Sequence, residues 1–254
     1  MNHEYPILEY DSNPHAMIEP NHLLRPLDML PEHCVICFFQ EVIRAACDEA
    51  SQVFVLRSEM GSNPVYVIER DGQRFAVFHP GVGAPIAGGF LEEVIALGAK
   101  KFIACGGAGV LNAELTVGHV VVPILAVRDE GLSYHYLPPS RDVAASAEAV
   151  EAIQQTLEAH HVPYVIGKTW TTDALYRETP GKVARRRDEG CITVEMEAAA
   201  FFAVAKFRGV TFGQLLYGGD DLSGDVWDHR DWISSQGSTR EKLFWLAAEA
   251  CLKL

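Results

Sequence analysis

The amino-acid sequence predicts an α/β protein folded as a three-layer αβα sandwich around a mixed, largely parallel central sheet. Three observations carry this expectation. Apolar runs of strand length alternate with longer stretches of helical period along most of the chain. The first of these runs, Cys34–Phe39, is apolar throughout, as in a strand covered on both faces. The 254 residues show no break in composition, so one domain over 1–254 is expected, with residues 1–33 forming its irregular N-terminal arm.

The arm carries prolines at 6, 14, 20, 26 and 31 and histidines at 3, 15 and 22, a composition that suits a segment lying across a surface. After the first strand, Glu41 falls in the first turn of a helix, where the dipole favours an acid. Val53–Arg57, Val65–Glu69 and Phe75–His79 read as strands, the last two joined by a hairpin at Asp71-Gly72. Arg57 at a strand end reads as solvent-facing. The stretch 79–87 (HPGVGAPIA) is a glycine loop opening a helix, with Pro85 in its first turn and Gly98 as C-cap. Lys101–Gly109 reads as a strand followed by a glycine-rich turn, in which Gly106 and Gly107 let backbone N–H groups come close to a ligand.

Asp142–His160 has the apolar spacing of an amphipathic helix, with Val143, Val150, Ile153 and Leu157 on one side. Tyr164–Trp170 reads as a strand, and Trp170 suits either the core or a stacking surface. Ile192–Val194 ends a buried strand, and Ala198–Phe207 is apolar almost all the way round, as in an internal helix. Between them stand Glu195, Met196 and Glu197. An unpaired buried carboxylate costs several kcal/mol, so these acids either cap the helix or bind a ligand. Thr211–Tyr217 is the last strand and feeds 218–225 (GGDDLSGD), a sequence suited to a turn or to a site at the end of a parallel strand. The run Trp227–Trp232 is expected near that site, and Ser238–Glu241 spells a capping box for the final helix.

The formal charge of −13 argues against nucleic-acid or anionic-membrane partners, and no apolar run reaches the length of a membrane span. Six cysteines are scattered through apolar runs. Cys34 and Cys37 have C-x-x-C spacing, but in a strand they face opposite ways. Buried free thiols in a reducing compartment, the cytoplasm, are expected.

The residues 194–198 (VEMEA) resemble the signature of the nucleoside phosphorylase superfamily, which includes purine nucleoside and uridine phosphorylases and the methylthioadenosine/adenosylhomocysteine nucleosidases. The glycine loop 79–87, the segment 106–109 (GGAG), the strand 115–123 (LTVGHVVVP), the segment 171–173 (TTD) and the Asp220 loop are similar to family segments in the same order. The resemblance implies cleavage of a nucleoside N-glycosidic bond, purine favoured. Met196 and Glu197 would hold the ribose, with His22 reaching it from a neighbouring subunit. Trp170 would stack on the base, and Asp220 would be the acid that protonates it. Phosphate or water would enter beside Gly106 and Gly107, with Arg57 donated across a dimer.

The chain departs from the phosphorylase pattern on that last side. It has no glycine or arginine in the loop after the first strand, Ala104 in place of an arginine, and Gly107 in place of a hydroxyl residue. The nucleosidase branch has a water-activating glutamate where this chain has Glu41. The resemblance thus leaves phosphorolysis and hydrolysis both open. It implies no metal or organic cofactor, with phosphate as a possible co-substrate, a small-molecule nucleoside as partner, and a homo-oligomer built from dimers. The reading from a different class is a non-catalytic nucleoside-binding sensor on the same fold.

Overall fold

The strand His33–Cys37 (β1) lies near the middle of the sheet and shows how the layers form. Cys34 and Ile36 pack into one apolar cluster, and Val35 and Cys37 into another on the opposite face. The period of two thus serves two buried faces, and it separates the two thiols of the C-x-x-C spacing. The computed structural model describes residues 4–48, 51–59, 61–230 and 237–254.

The remaining strands are Gln52–Ser58 (β2), Gly61–Arg70 (β3), Gln73–Phe78 (β4), Lys101–Val110 (β5), Val120–Asp129 (β6), Asp142–Ala144 (β7), Tyr164–Thr172 (β8), Cys191–Glu195 (β9) and Thr211–Asp221 (β10). Their order is β10-β6-β8-β9-β5-β1-β4-β3-β2, with β7 beside β6 and a further pairing of β10 with β5. Pairing is parallel at β1–β4, β1–β5, β5–β10, β6–β8 and β8–β9, and antiparallel elsewhere. The β5–β10 pairing closes β5, β10, β6, β8 and β9 into a ring, a closure that the alternation of strands and helices did not reveal.

The helices are Pro20–Leu23 (α1), Gln40–Ala46 (α2), Ala84–Ala96 (α3), Ser133–Tyr136 (α4), Ala147–Ala159 (α5), Pro180–Asp188 (α6), Ala198–Arg208 (α7) and Gly237–Leu252 (α8). One cluster is built largely from α3 and α7, with Phe90, Leu91, Phe201 and Phe202 against the sheet. The other is built from α5 and α8, with Ile153, Leu157, Phe244 and Ala248 on the opposite face. The three-layer α/β architecture stands as expected.

Three stretches differ from the sequence expectation. The glycines 106, 107 and 109 lie inside β5, because pairing with β9 and β10 keeps the backbone extended through them. Asp142–Ala144 is a strand, since it finds a partner edge on β6, and the helix begins only at Ala147. Residues 218–221 continue β10 across a bulge, and Asp221 bridges back to Asp228. Ser238–Glu241 opens the described part of α8 (Gly237–Leu252), residues 231–236 before it lying outside the described ones.

The arm is tied to its own chain at Leu27 and Glu19. The Leu27 N–H bonds the Leu97 carbonyl, and Glu19 pairs with Arg208. Among the described residues no helix is long and apolar enough to cross a membrane.

Candidate active site

The C-terminal ends of parallel strands are where α/β sheets place ligands, and the ends of β5, β9 and β10 border a cavity of about 570 Å³. The step from β9 into α7 supplies its acids. Glu195 is buried and acts as the cap: its Oε2 accepts the N–H groups of Glu197 at 2.7 Å and Ala198 at 2.6 Å, and its Oε1 accepts the Thr171 hydroxyl at 2.6 Å. The carboxylate thereby satisfies two orphan amides at the start of α7. Burial still pushes the Glu195 carboxyl up to about 7.

With the cap filled by Glu195, Glu197 is released for another task. It lines the cavity with Met196, and its Oε1 accepts the N–H of Gly83 at 2.5 Å. Gly83 has φ +97, a conformation natural to glycine, and this turns its amide inward ahead of α3. Burial, and then the neighbouring charge of Glu195, push Glu197 up to about 8.

Asp220 lines the same cavity from β10, and its Oδ2 accepts the indole N–H of Trp227 at 2.7 Å. The other two aspartates of that segment are elsewhere: Asp221 pairs with Arg230, and Asp225 is exposed. Glu178, in the connection between β8 and α6, also faces the cavity with Leu175. Burial and the charge of Asp220 push Glu178 up to about 7, against the opposing pull of Lys182.

Gly106 and Gly107 line the other side. A Cβ at Gly106 would stand 3.0 Å from the Phe38 ring, and one at Gly107 would stand 3.3 Å from the Tyr217 hydroxyl. The space for a hydroxyl side chain at 107 is thus already taken by Tyr217. The Tyr217 oxygen in turn accepts a hydrogen bond from Arg240 Nε at 3.1 Å, and Arg240 pairs with Glu41 at 2.8 Å. Arg240 is the one cationic side chain among the described lining residues. Burial raises the Glu41 carboxyl, but its hydrogen bond and ion pair with Arg240 outweigh that and hold it below its ordinary value.

Four expected site residues do not line this cavity. Trp170 is fully buried, packs with Val127, Val183 and Val194, and donates to Asp129 at 2.9 Å. Its faces are also approached by Arg186 and Lys182, so a base has no access to it. His22 is exposed on α1, where its Nδ1 accepts the Glu19 N–H to close a capping box. Arg57 is exposed at the far edge of the sheet and lines a separate groove of about 1000 Å³. Glu41 stands behind Arg240 and is not itself a lining residue.

Sequence reasoning missed Glu178, Tyr217, Arg240 and Gln214. Gln214 is buried in β10, lines the cavity, and leaves its Oε1 without a partner among the described residues. A polar residue inside the otherwise apolar run Thr211–Tyr217 was the available signal. Arg240 carries no such signal, because its place depends on how α8 packs. The Trp227–Trp232 loop divides: Trp227 lines the cavity, whereas residues 231–232 lie outside the described residues.

A family model described as the phosphorylase superfamily matches residues 32–251. A guanosine phosphorylase from Halorubrum lacusprofundi is 32% identical over 173 residues, 66% of this chain and 68% of the relative. Among solved structures, a uridine phosphorylase from Vibrio fischeri superposes with TM-score 0.76 at 21% identity, covering 94% of this chain and 99% of that one. An AMP nucleosidase from Bacteroides thetaiotaomicron superposes with TM-score 0.70 at 21% identity, covering 88% of each chain. At such identities the two structures speak for the fold.

Proposed function

The chain belongs to the phosphorylase superfamily, and from that premise we propose that it cleaves the N-glycosidic bond of a nucleoside, purine favoured, to free base and sugar or sugar 1-phosphate. One observation carries the reading: Met196 and Glu197, Asp220 and Glu178, and Gly106 and Gly107 line one cavity. Breaking this bond passes through an oxocarbenium-like sugar, as in glycoside hydrolysis. The reaction needs an anion to hold the sugar, a proton for the leaving base, and a nucleophile from the opposite face.

Glu197 with Met196 serves the ribose, its second oxygen remaining for a sugar hydroxyl while the first is held by Gly83. The carboxyl pair Glu178 and Asp220 faces the base and supplies the proton. The nucleophile enters beside Gly106 and Gly107, where Arg240 brings positive charge near an incoming oxyanion and Glu41 backs that arginine. The purine preference is supported by the guanosine phosphorylase relative. The enzyme acts as a cytoplasmic homo-oligomer built from dimers, in which His22 or Arg57 of one subunit serves a neighbour.

The test is release of free base from a panel of purine and pyrimidine nucleosides, with and without phosphate. Phosphate-dependent release with ribose 1-phosphate identifies a phosphorylase, and phosphate-independent release with free sugar identifies a nucleosidase. No release from any nucleoside overturns the reading and leaves a nucleoside sensor.

A further inference from the structure

The two carboxyls on the base side of the cavity have different surroundings. Asp220 accepts the Trp227 indole N–H at 2.7 Å, which fixes the orientation of its carboxyl. Glu178 is half-buried beside Leu175 and Leu222, and among the described residues no donor bonds its carboxyl. Lys182 is the opposing charge that acts on it, but that ammonium is turned toward Asp129, 3.5 Å away, over the Trp170 ring. The charged groups acting on Glu178 are therefore Asp220 from β10 and Lys182 from α6.

Resting on the nucleoside-cleaving reading above, we infer that Glu178 is the acid that protonates the departing base, and that Asp220, fixed by Trp227, is the anion that keeps Glu178 protonated. Two carboxyls held in unlike environments divide the acid and anion roles between them in this way. In the step, the bond from C1′ to the base nitrogen breaks with its electron pair leaving on the base. The Glu178 O–H proton passes to the base, leaving Glu178 a carboxylate. A phosphate oxygen, or a water that gives up one proton, then bonds to C1′ of the cationic sugar. Burial and the Asp220 charge hold Glu178 protonated up to about pH 7, so the assignment also accounts for an acid ready near neutrality.

The experiment compares wild type, Glu178→Gln and Asp220→Asn on inosine and on 7-methylguanosine, whose base already carries positive charge and needs no proton to leave. Wild type is expected to lose kcat/KM on inosine as pH rises through about 7. Glu178→Gln is expected to fall about 100-fold or more on inosine, to lose the alkaline limb, and to stay within about tenfold of wild type on 7-methylguanosine. Asp220→Asn, which removes the neighbouring charge, is expected to move the alkaline limb to lower pH.

Equal losses of Glu178→Gln on both substrates would reduce Glu178 to a structural role and overturn the assignment. So would a selective loss on inosine that belongs to Asp220→Asn alone. A wild type inactive on every nucleoside would instead overturn the underlying reading, and the assignment with it.

Discussion

Glu197 Oε1 and the N–H of Gly83 meet at 2.5 Å across 114 positions of sequence, so the carboxyl proposed to hold the sugar is anchored by backbone rather than by a cation. No salt bridge competes for that carboxyl among the described residues.

Above about pH 8, where the carboxyl is ionised, replacing Glu197 by Gln is expected to lower kcat/KM by about 10- to 150-fold, the value of one charge-assisted hydrogen bond. Stability should move the opposite way in alkaline solution. The folded-state value of Glu197 is about 8 against an ordinary 4.5. Its contribution is therefore full below about pH 4.5 and lost as pH rises through about 8. Glu197→Gln removes that loss, so its melting temperature should exceed that of wild type by more near pH 8.5 than near pH 5.5. Thermal unfolding at the two pH values checks the sign.

Trp170→Phe should act on stability alone. It removes the indole donor of Asp129 from a fully buried site, which costs about 1–3 kcal/mol. Denaturant unfolding should show that loss, and KM for the nucleoside should stay within about twofold of wild type. A large rise in KM would return Trp170 to the ligand.

The Arg240–Glu41 pair separates by mutation. Arg240→Gln removes the cation that lines the cavity and leaves Tyr217 without its donor, so kcat/KM should fall about 10- to 100-fold. Glu41→Gln keeps Arg240 against Tyr217 and should cost less than about tenfold, about 1.4 kcal/mol. A greater loss for Glu41→Gln, on a phosphate-independent reaction, would mark Glu41 as the base for water.

Gly107→Ala should destabilise the fold by about 1–3 kcal/mol, the ordinary cost of overpacking. The new Cβ would stand 3.2 Å from Tyr217 Cζ, and that ring is fully buried and tied through its oxygen to Arg240. Chemical denaturation of the variant checks it.

The layers and the principal strands were legible because burial on two faces leaves an unmistakable mark in sequence: Cys34–Cys37 and Ala198–Ala205 have hardly a polar atom outside the backbone. The acids at the start of α7 were legible as a conflict between charge and burial. Which of them caps and which faces the cavity was not legible, because that depends on Thr171 and Gly83, distant in sequence. Trp170 misled for a related reason: a tryptophan at a strand end looks the same whether α6 covers it or a ligand does. Asp142–Ala144 carries helical spacing, yet a free edge on β6 outweighed it. Glu178 and Arg240 acquire their roles only from packing between segments.

The closed ring of strands also sets an order on synthesis. β5 is made early, but its partner β10 arrives about a hundred residues later, at Thr211–Asp221. A nascent chain that has passed only through β9 has β5, β6, β8 and β9 in hand, with the unpaired flank of β5 open to water. Such a flank invites pairing with another chain. The ring closes only once the segment bearing Asp220 has emerged, so one event seals that flank and brings Asp220 to the cavity.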